Sequence, residues 1–150
     1  MVLHFAYGSN MSRKLMHARC PLALALGVAQ LANWRFVITR DGYASVVQEP
    51  GAVVHGVLWQ LSARDLAAVN AYEGLNVGLY RRRILPVRFN GQRRSALTYL
   101  GRGSESGRPR PAYLDVVLEA ARDWHLPDDY IHALTRCSLL RPTDRRNGTG

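Results

Sequence analysis

Apolar and polar residues alternate in short blocks along the chain, and these blocks predict a series of strands interrupted by a few helices. Val2-Leu3-His4-Phe5-Ala6 is a brief apolar run with strand character, broken by Gly8. Asn10 or Ser12 can then cap a helix running from Ser12 to about Cys20. Ala29 to Thr39 reads as a strand, Asp41-Gly42 as a turn, and Tyr43 to Gln48 as a second strand closed by the turn Glu49-Pro50-Gly51. Val53 to Leu61 has the Val- and Trp-rich character of a sheet centre. Leu79 to Phe89 and Arg93 to Leu100 form a further pair, with Asn90-Gly91 between them as a hairpin signal. Arg102 to Pro111 is a Gly-, Ser- and Pro-rich loop. Helices are expected from Ala112 to Trp124 and from Pro127 to Arg136, the second with proline at its first position. Strands in series with flanking helices make an α+β domain with a mixed, barrel-like sheet.

One helix lies between the strand ending at Leu61 and the one starting at Leu79. Ser62 is its N-cap, Asp65 stands at the capping-box position, Leu61 can staple against Leu66, and Gly74 stops it. Leu66, Val69 and Glu73 fall at i, i+3 and i+7 on one stripe, so a helix that buries the first two aims Glu73 inward as well. Burial and the negative helix end both disfavour charge on that carboxylate, moving its acidity toward the range of a general base near neutral pH. Two other arrangements remain open at this point: Glu73 leans out past the helix end, or it pairs with Arg81, Arg82 or Arg83.

The strand–glycine–helix passage at Tyr7-Gly8-Ser9-Asn10 gathers backbone N–H groups at one spot, suited to a carboxylate, a phosphate or a developing oxyanion. A plain structural turn is the alternative. Tyr72, Tyr80, Tyr99 and Tyr113 supply hydroxyls, although tyrosines on strands commonly serve as amphipathic core. No serine lies in a GxSxG setting, and no cysteine has a nucleophile motif.

At 150 residues the chain is long enough for one self-sufficient core, expected over residues 1–140, with a polar, disordered tail at 141–150. No apolar stretch approaches a membrane span, and the short apolar start lacks the basic lead of a signal peptide; a cytoplasmic location is expected. Cys20, Cys137 and the five histidines form no ligand spacing, so two buried free thiols and no metal are expected. The net charge of +9 comes from a basic set that is arginine except for Lys14. Its arginines are scattered and lack interleaved aromatics. This disfavours nucleic-acid binding and leaves attraction of small anionic substrates as an equally physical use.

In combination these features resemble the γ-glutamylcyclotransferase family. The matching pieces are Phe5-Ala6-Tyr7-Gly8-Ser9-Asn10-Met11, Ala44-Ser45-Val46-Val47-Gln48-Glu49-Pro50-Gly51 and Val54-His55-Gly56-Val57-Leu58-Trp59. Tyr72-Glu73-Gly74, Gly78-Leu79-Tyr80, Pro111-Ala112-Tyr113 and Leu126-Pro127-Asp128-Asp129-Tyr130 follow in the family's order. Asn70 departs from the aspartate frequent there, which bears on a supporting hydrogen bond.

The resemblance implies a small mixed β-barrel with flanking helices and no cofactor. It implies that Glu73 transfers the proton, that Phe5 to Asn10 hold the glutamyl group, and that Tyr113, with Tyr80 and Tyr99, lines the pocket. The implied partner is a small γ-glutamyl substrate, converted to 5-oxoproline and a free amino acid or amine, with room for a homodimer. A γ-glutamylamine cyclotransferase and a non-catalytic binding module with a basic surface are the rival readings.

Overall fold

A computed structural model of the chain describes residues 1–73, 80–101 and 107–138. Five strands close into a barrel: β1 (Val2–Ala6), β2 (Leu24–Ile38), β3 (Ala44–Leu61), β4 (Tyr80–Phe89) and β5 (Gln92–Gly101), in the order β1-β3-β2-β4-β5. β1 runs antiparallel to β3, from Val2 opposite Leu61 to Ala6 opposite Val57. On its other side β1 meets β5 in parallel, with His4 opposite Leu97, and this pairing closes a mixed sheet. The expected α+β architecture is therefore present. Phe5, Leu31, Val54, Leu58, Val87 and Leu100 are among the buried side chains of its core.

The helices are α1 (Arg13–Arg19), α2 (Ala63–Tyr72), α3 (Tyr113–Asp123) and α4 (Asp128–Thr135). Ser12 caps α1 by accepting from the Leu15 N–H at 3.2 Å, and Ser62 caps α2 by accepting from Asp65 N–H at 3.1 Å. Leu114, Val117, Leu118 and Ala121 form the buried stripe of α3 at helical spacing. Trp124, at the end of α3, donates its indole N–H to Met11 O at 2.7 Å, which ties that helix to the turn after β1.

Several local expectations change. A 3₁₀ turn, Ser9–Met11, stands between β1 and α1, so Ser12 rather than Asn10 is the cap. β2 begins at Leu24 instead of Ala29, because its exposed first residues pair with the far end of β3, Leu24 opposite Gln60. The segments 43–48 and 53–61 are one strand. Both arms pair with β2, so Glu49-Pro50-Gly51 is an excursion in the ladder rather than a strand end. The register passes there from Ala32 opposite Val53 to Trp34 opposite Gln48, and Gly51 N–H donates to Asn33 Oδ1 at 3.0 Å. Pro127 precedes α4 as its cap residue instead of opening it. Cys20 is buried as expected, whereas Cys137 is half-buried; both are free thiols.

Asn90 and Gly91 both take positive φ, 49° and 75°, as a two-residue hairpin turn between twisted strands requires. No helix among the described residues is long and apolar enough to cross a membrane. The Gly74 helix stop, residues 102–106 of the 102–111 loop and the 141–150 tail lie outside the described residues.

Candidate active site

A cavity of about 180 Å³ opens where the end of β1, the end of α2 and the start of α3 converge. Its lining includes every residue singled out from the sequence: Phe5, Ala6, Tyr7, Gly8, Ser9, Asn10, Glu73, Tyr80, Tyr99 and Tyr113. Tyr72, named above among the candidate hydroxyls, lines it too, as do His4, Tyr43 and Ala44, which sequence reasoning did not select. Each of the missed residues has a plain reason. Ala44 acts through its backbone, which leaves no signature in side-chain pattern. His4 and Tyr43 are direct neighbours of selected residues or elements, and adjacency alone does not say which way they face.

Glu73 is the C-cap residue of α2 (φ −76°, ψ −1°), with its N–H bonded to Val69 O. Val69 is fully buried beneath it, so the stripe turns Glu73 toward the cavity as the spacing predicts. The Asn10 side-chain amide donates to Glu73 Oε1 at 3.0 Å, so the turn after β1 and the carboxylate 63 residues later meet directly. The pairing with Arg81 to Arg83 is not found: the three side chains are exposed, and the carboxylate bonds Asn10 instead. Burial pushes the Glu73 carboxyl up to about 7; the Arg19 guanidinium and the Asn10 hydrogen bond act in the opposite direction.

Around this carboxylate stands a ring of tyrosines held by one another and by the backbone. Tyr7 OH donates to Tyr99 O, and Tyr99 OH donates to Asn70 Oδ1. The side-chain oxygen at position 70 therefore keeps a supporting role although it belongs to an amide. Tyr80 OH donates to Ala44 O at 2.9 Å, and Ala44 N–H donates to Tyr113 OH at 3.3 Å. Tyr43 packs edge-on against Tyr113, ring centroids 5.3 Å apart.

Burial raises the pKa of the Tyr7, Tyr80 and Tyr99 hydroxyls and pushes that of Tyr113 up to about 12; the nearby Glu73 charge adds to each. These hydroxyls therefore stay protonated and serve as hydrogen-bond donors, not bases. His4 Nδ1–H donates to Leu97 O at 3.1 Å, and burial lowers its pKa to about 4, so the ring is neutral at physiological pH. Of the cavity groups with displaced acidities, Glu73 is the one that lands near neutrality.

Gly8 is required by proximity. A Cβ there would come within 2.9 Å of Tyr113 OH. The first hydrogen bond inside the 3₁₀ turn is Met11 N–H to Gly8 O at 3.0 Å, so the N–H groups of Ser9 and Asn10 precede the turn's internal ladder. The site thus combines backbone N–H groups, a ring of neutral phenols and one carboxylate able to exchange a proton at neutral pH.

Residues 53–134 match the model of the AIG2-like family. A γ-glutamylcyclotransferase of Homo sapiens is 30% identical over 155 residues, covering 95% of this chain and 80% of that protein. The Mus musculus γ-glutamylcyclotransferase is 28% identical over 141 residues, covering 85% of this chain and 74% of its own length. A solved structure of a γ-glutamyl cyclotransferase superposes with a TM-score of 0.83 at 28% identity, covering 89% of this chain and 86% of the other.

Proposed function

Because the chain belongs to the AIG2-like/γ-glutamylcyclotransferase family, we propose that it cleaves a γ-glutamyl amide by intramolecular aminolysis, with Glu73 as the proton-transferring group. One observation carries the reading: a carboxylate with a pKa of about 7 faces the backbone donors of the turn after β1 across a shared cavity.

The nucleophile is the substrate's own α-amine. Glu73 removes a proton from the α-ammonium, and the freed amine attacks the γ-carbonyl carbon. As the C–N bond to the leaving group breaks, the protonated Glu73 gives its proton to the departing nitrogen, and the ring nitrogen, which still carries two protons after the attack, releases one to the re-formed carboxylate or to solvent. The products are 5-oxoproline and a free amine or amino acid. Holding the amine against the carbonyl supplies on the order of 7–11 kcal/mol of the barrier, so the protein needs no nucleophile of its own. The Ser9 and Asn10 N–H groups and the Tyr113 hydroxyl, which accepts from Ala44 N–H and keeps its own proton to donate, are suited to gripping the glutamyl carboxylate or the developing oxyanion.

The test is a panel of γ-glutamyl amino acids and γ-glutamylamines, each offered with a free and with an acetylated α-amine. Release of 5-oxoproline from the free substrates alone is the expected result. Equal cleavage of the acetylated forms would mean hydrolysis by water, and no turnover of any substrate would remove the proposal.

A further inference from the structure

Arg19 sits in the last turn of α1, three residues after the fully buried Met16, which turns it toward the site from behind the cavity wall. Its guanidinium reaches both halves of the site. Nη1 donates to Ser9 Oγ at 3.3 Å and to Asn10 Oδ1, and Nη2 donates to Tyr72 OH. The guanidinium carbon also lies 3.4 Å from the centre of the Tyr72 ring. One side chain thus bolts the turn after β1 to the end of α2.

From this geometry we infer that Arg19 is the positioning residue of the site: it fixes which way the Asn10 amide points and thereby presents a donor to Glu73. The inference rests on the reading of Glu73 as the base. An asparagine side chain has one accepting and one donating end, whereas a guanidinium only donates. Asn10 must therefore turn its oxygen to Arg19, which leaves its NH₂ for Glu73 Oε1. That orientation favours the ionised carboxylate. Without Arg19 the amide is free to turn its oxygen toward Glu73, which disfavours the ionised form. The other groups facing Glu73 are Tyr7 from β1, Tyr80 from β4, Tyr99 from β5 and Tyr113 from α3. All are neutral hydroxyls, so the guanidinium is the positive charge that opposes burial there.

The experiment titrates the Glu73 carboxyl by ¹³C NMR in the wild-type protein, Arg19→Ala and Arg19→Lys, alongside 5-oxoproline release across pH. In Arg19→Ala the Glu73 titration is expected to move up by about one unit or more, the low end of what a neighbouring opposite charge does. Turnover at pH 7 is expected to fall by on the order of 10- to 100-fold, the cost of a slightly misplaced reacting group, and added guanidinium is expected to restore part of it. Arg19→Lys keeps the charge but cannot hold Ser9, Asn10 and Tyr72 together, so its turnover stays below wild type. An unmoved titration and unchanged turnover in Arg19→Ala would overturn the inference. So would full turnover by Arg19→Lys, because a point charge would then suffice. A wild-type protein without turnover would instead sink the proposed function, and the titration arm would still read the Arg19–Asn10–Glu73 linkage.

Discussion

Burial pushes the Glu73 carboxyl up while Arg19 and Asn10 pull it down, and the balance stands at about 7. The base form is the ionised one, so kcat/KM should climb with pH through a midpoint near 7. Asn10→Leu, which removes the donor from Oε1, should move that limb to higher pH, and a limb unmoved in that variant would separate Asn10 from the proton transfer. Stability has the opposite sign. The folded pKa lies above the unfolded value of 4.5, so the folded state binds the proton more tightly and loses stability as pH rises from about 4.5 to 7. Glu73→Gln removes this liability. Its advantage over wild type in chemical denaturation should grow by on the order of 3 kcal/mol between pH 4 and pH 8, and a constant difference would mean that the carboxyl titrates normally. At this scale the sequence was informative where side-chain spacing sets direction, as at Val69 and Glu73. It was silent on Arg19, which reads as an ordinary cation at a helix end, and on Ala44, whose contribution is its peptide group.

Among the elements, what was legible is what is local. The Asn90-Gly91 turn and the Ser12 and Ser62 caps depend on two to four consecutive residues, and the structure has them. The early start of β2 and the continuity of β3 were not legible, because they are set by hydrogen bonds to distant strands that leave the exposed residues Leu24, Ala25 and Leu26 without alternation. The parallel contact of β1 with β5, which closes the barrel, joins residues 93 apart and has no local mark. Ser62 offers a test of how the site depends on its carrier. Ser62→Ala should lower global stability by about 1 kcal/mol through loss of the α2 cap, read as a shifted denaturation midpoint. Gly8→Ala makes the complementary test at the other wall. Its Cβ must displace Tyr113 OH, so KM should rise while the melting temperature changes little; an unchanged KM would mean that the Gly8–Tyr113 contact is unimportant to substrate.

Across the whole molecule the charge that looks scattered in sequence is gathered by topology. β2, β4 and β5 are neighbours in the barrel and contain no aspartate or glutamate, yet they carry Arg35, Arg81, Arg82, Arg83, Arg88, Arg93 and Arg94. Arg88 stands directly opposite Arg93 across the ladder, and among the described residues the one ion pair is Arg35 with Glu49 at 3.1 Å. Repulsion along this wall should make the protein more stable as salt rises. Its melting temperature should increase between roughly 0.01 M and 0.15 M ionic strength, as the screening length falls from about 30 to 8 Å. Arg88→Glu should add about 0.2–1 kcal/mol at low salt by replacing a like pair with an opposite one. A melting temperature that falls with salt would show that unseen attractions outweigh the repulsion.

The central claim concerns one carboxylate acting on a substrate that supplies its own nucleophile. The most direct measurement is 5-oxoproline release from a γ-glutamyl amino acid at pH 8 by the wild-type protein and by folded Glu73→Gln. The account predicts turnover by the first and nearly none by the second; equal release by both would contradict it.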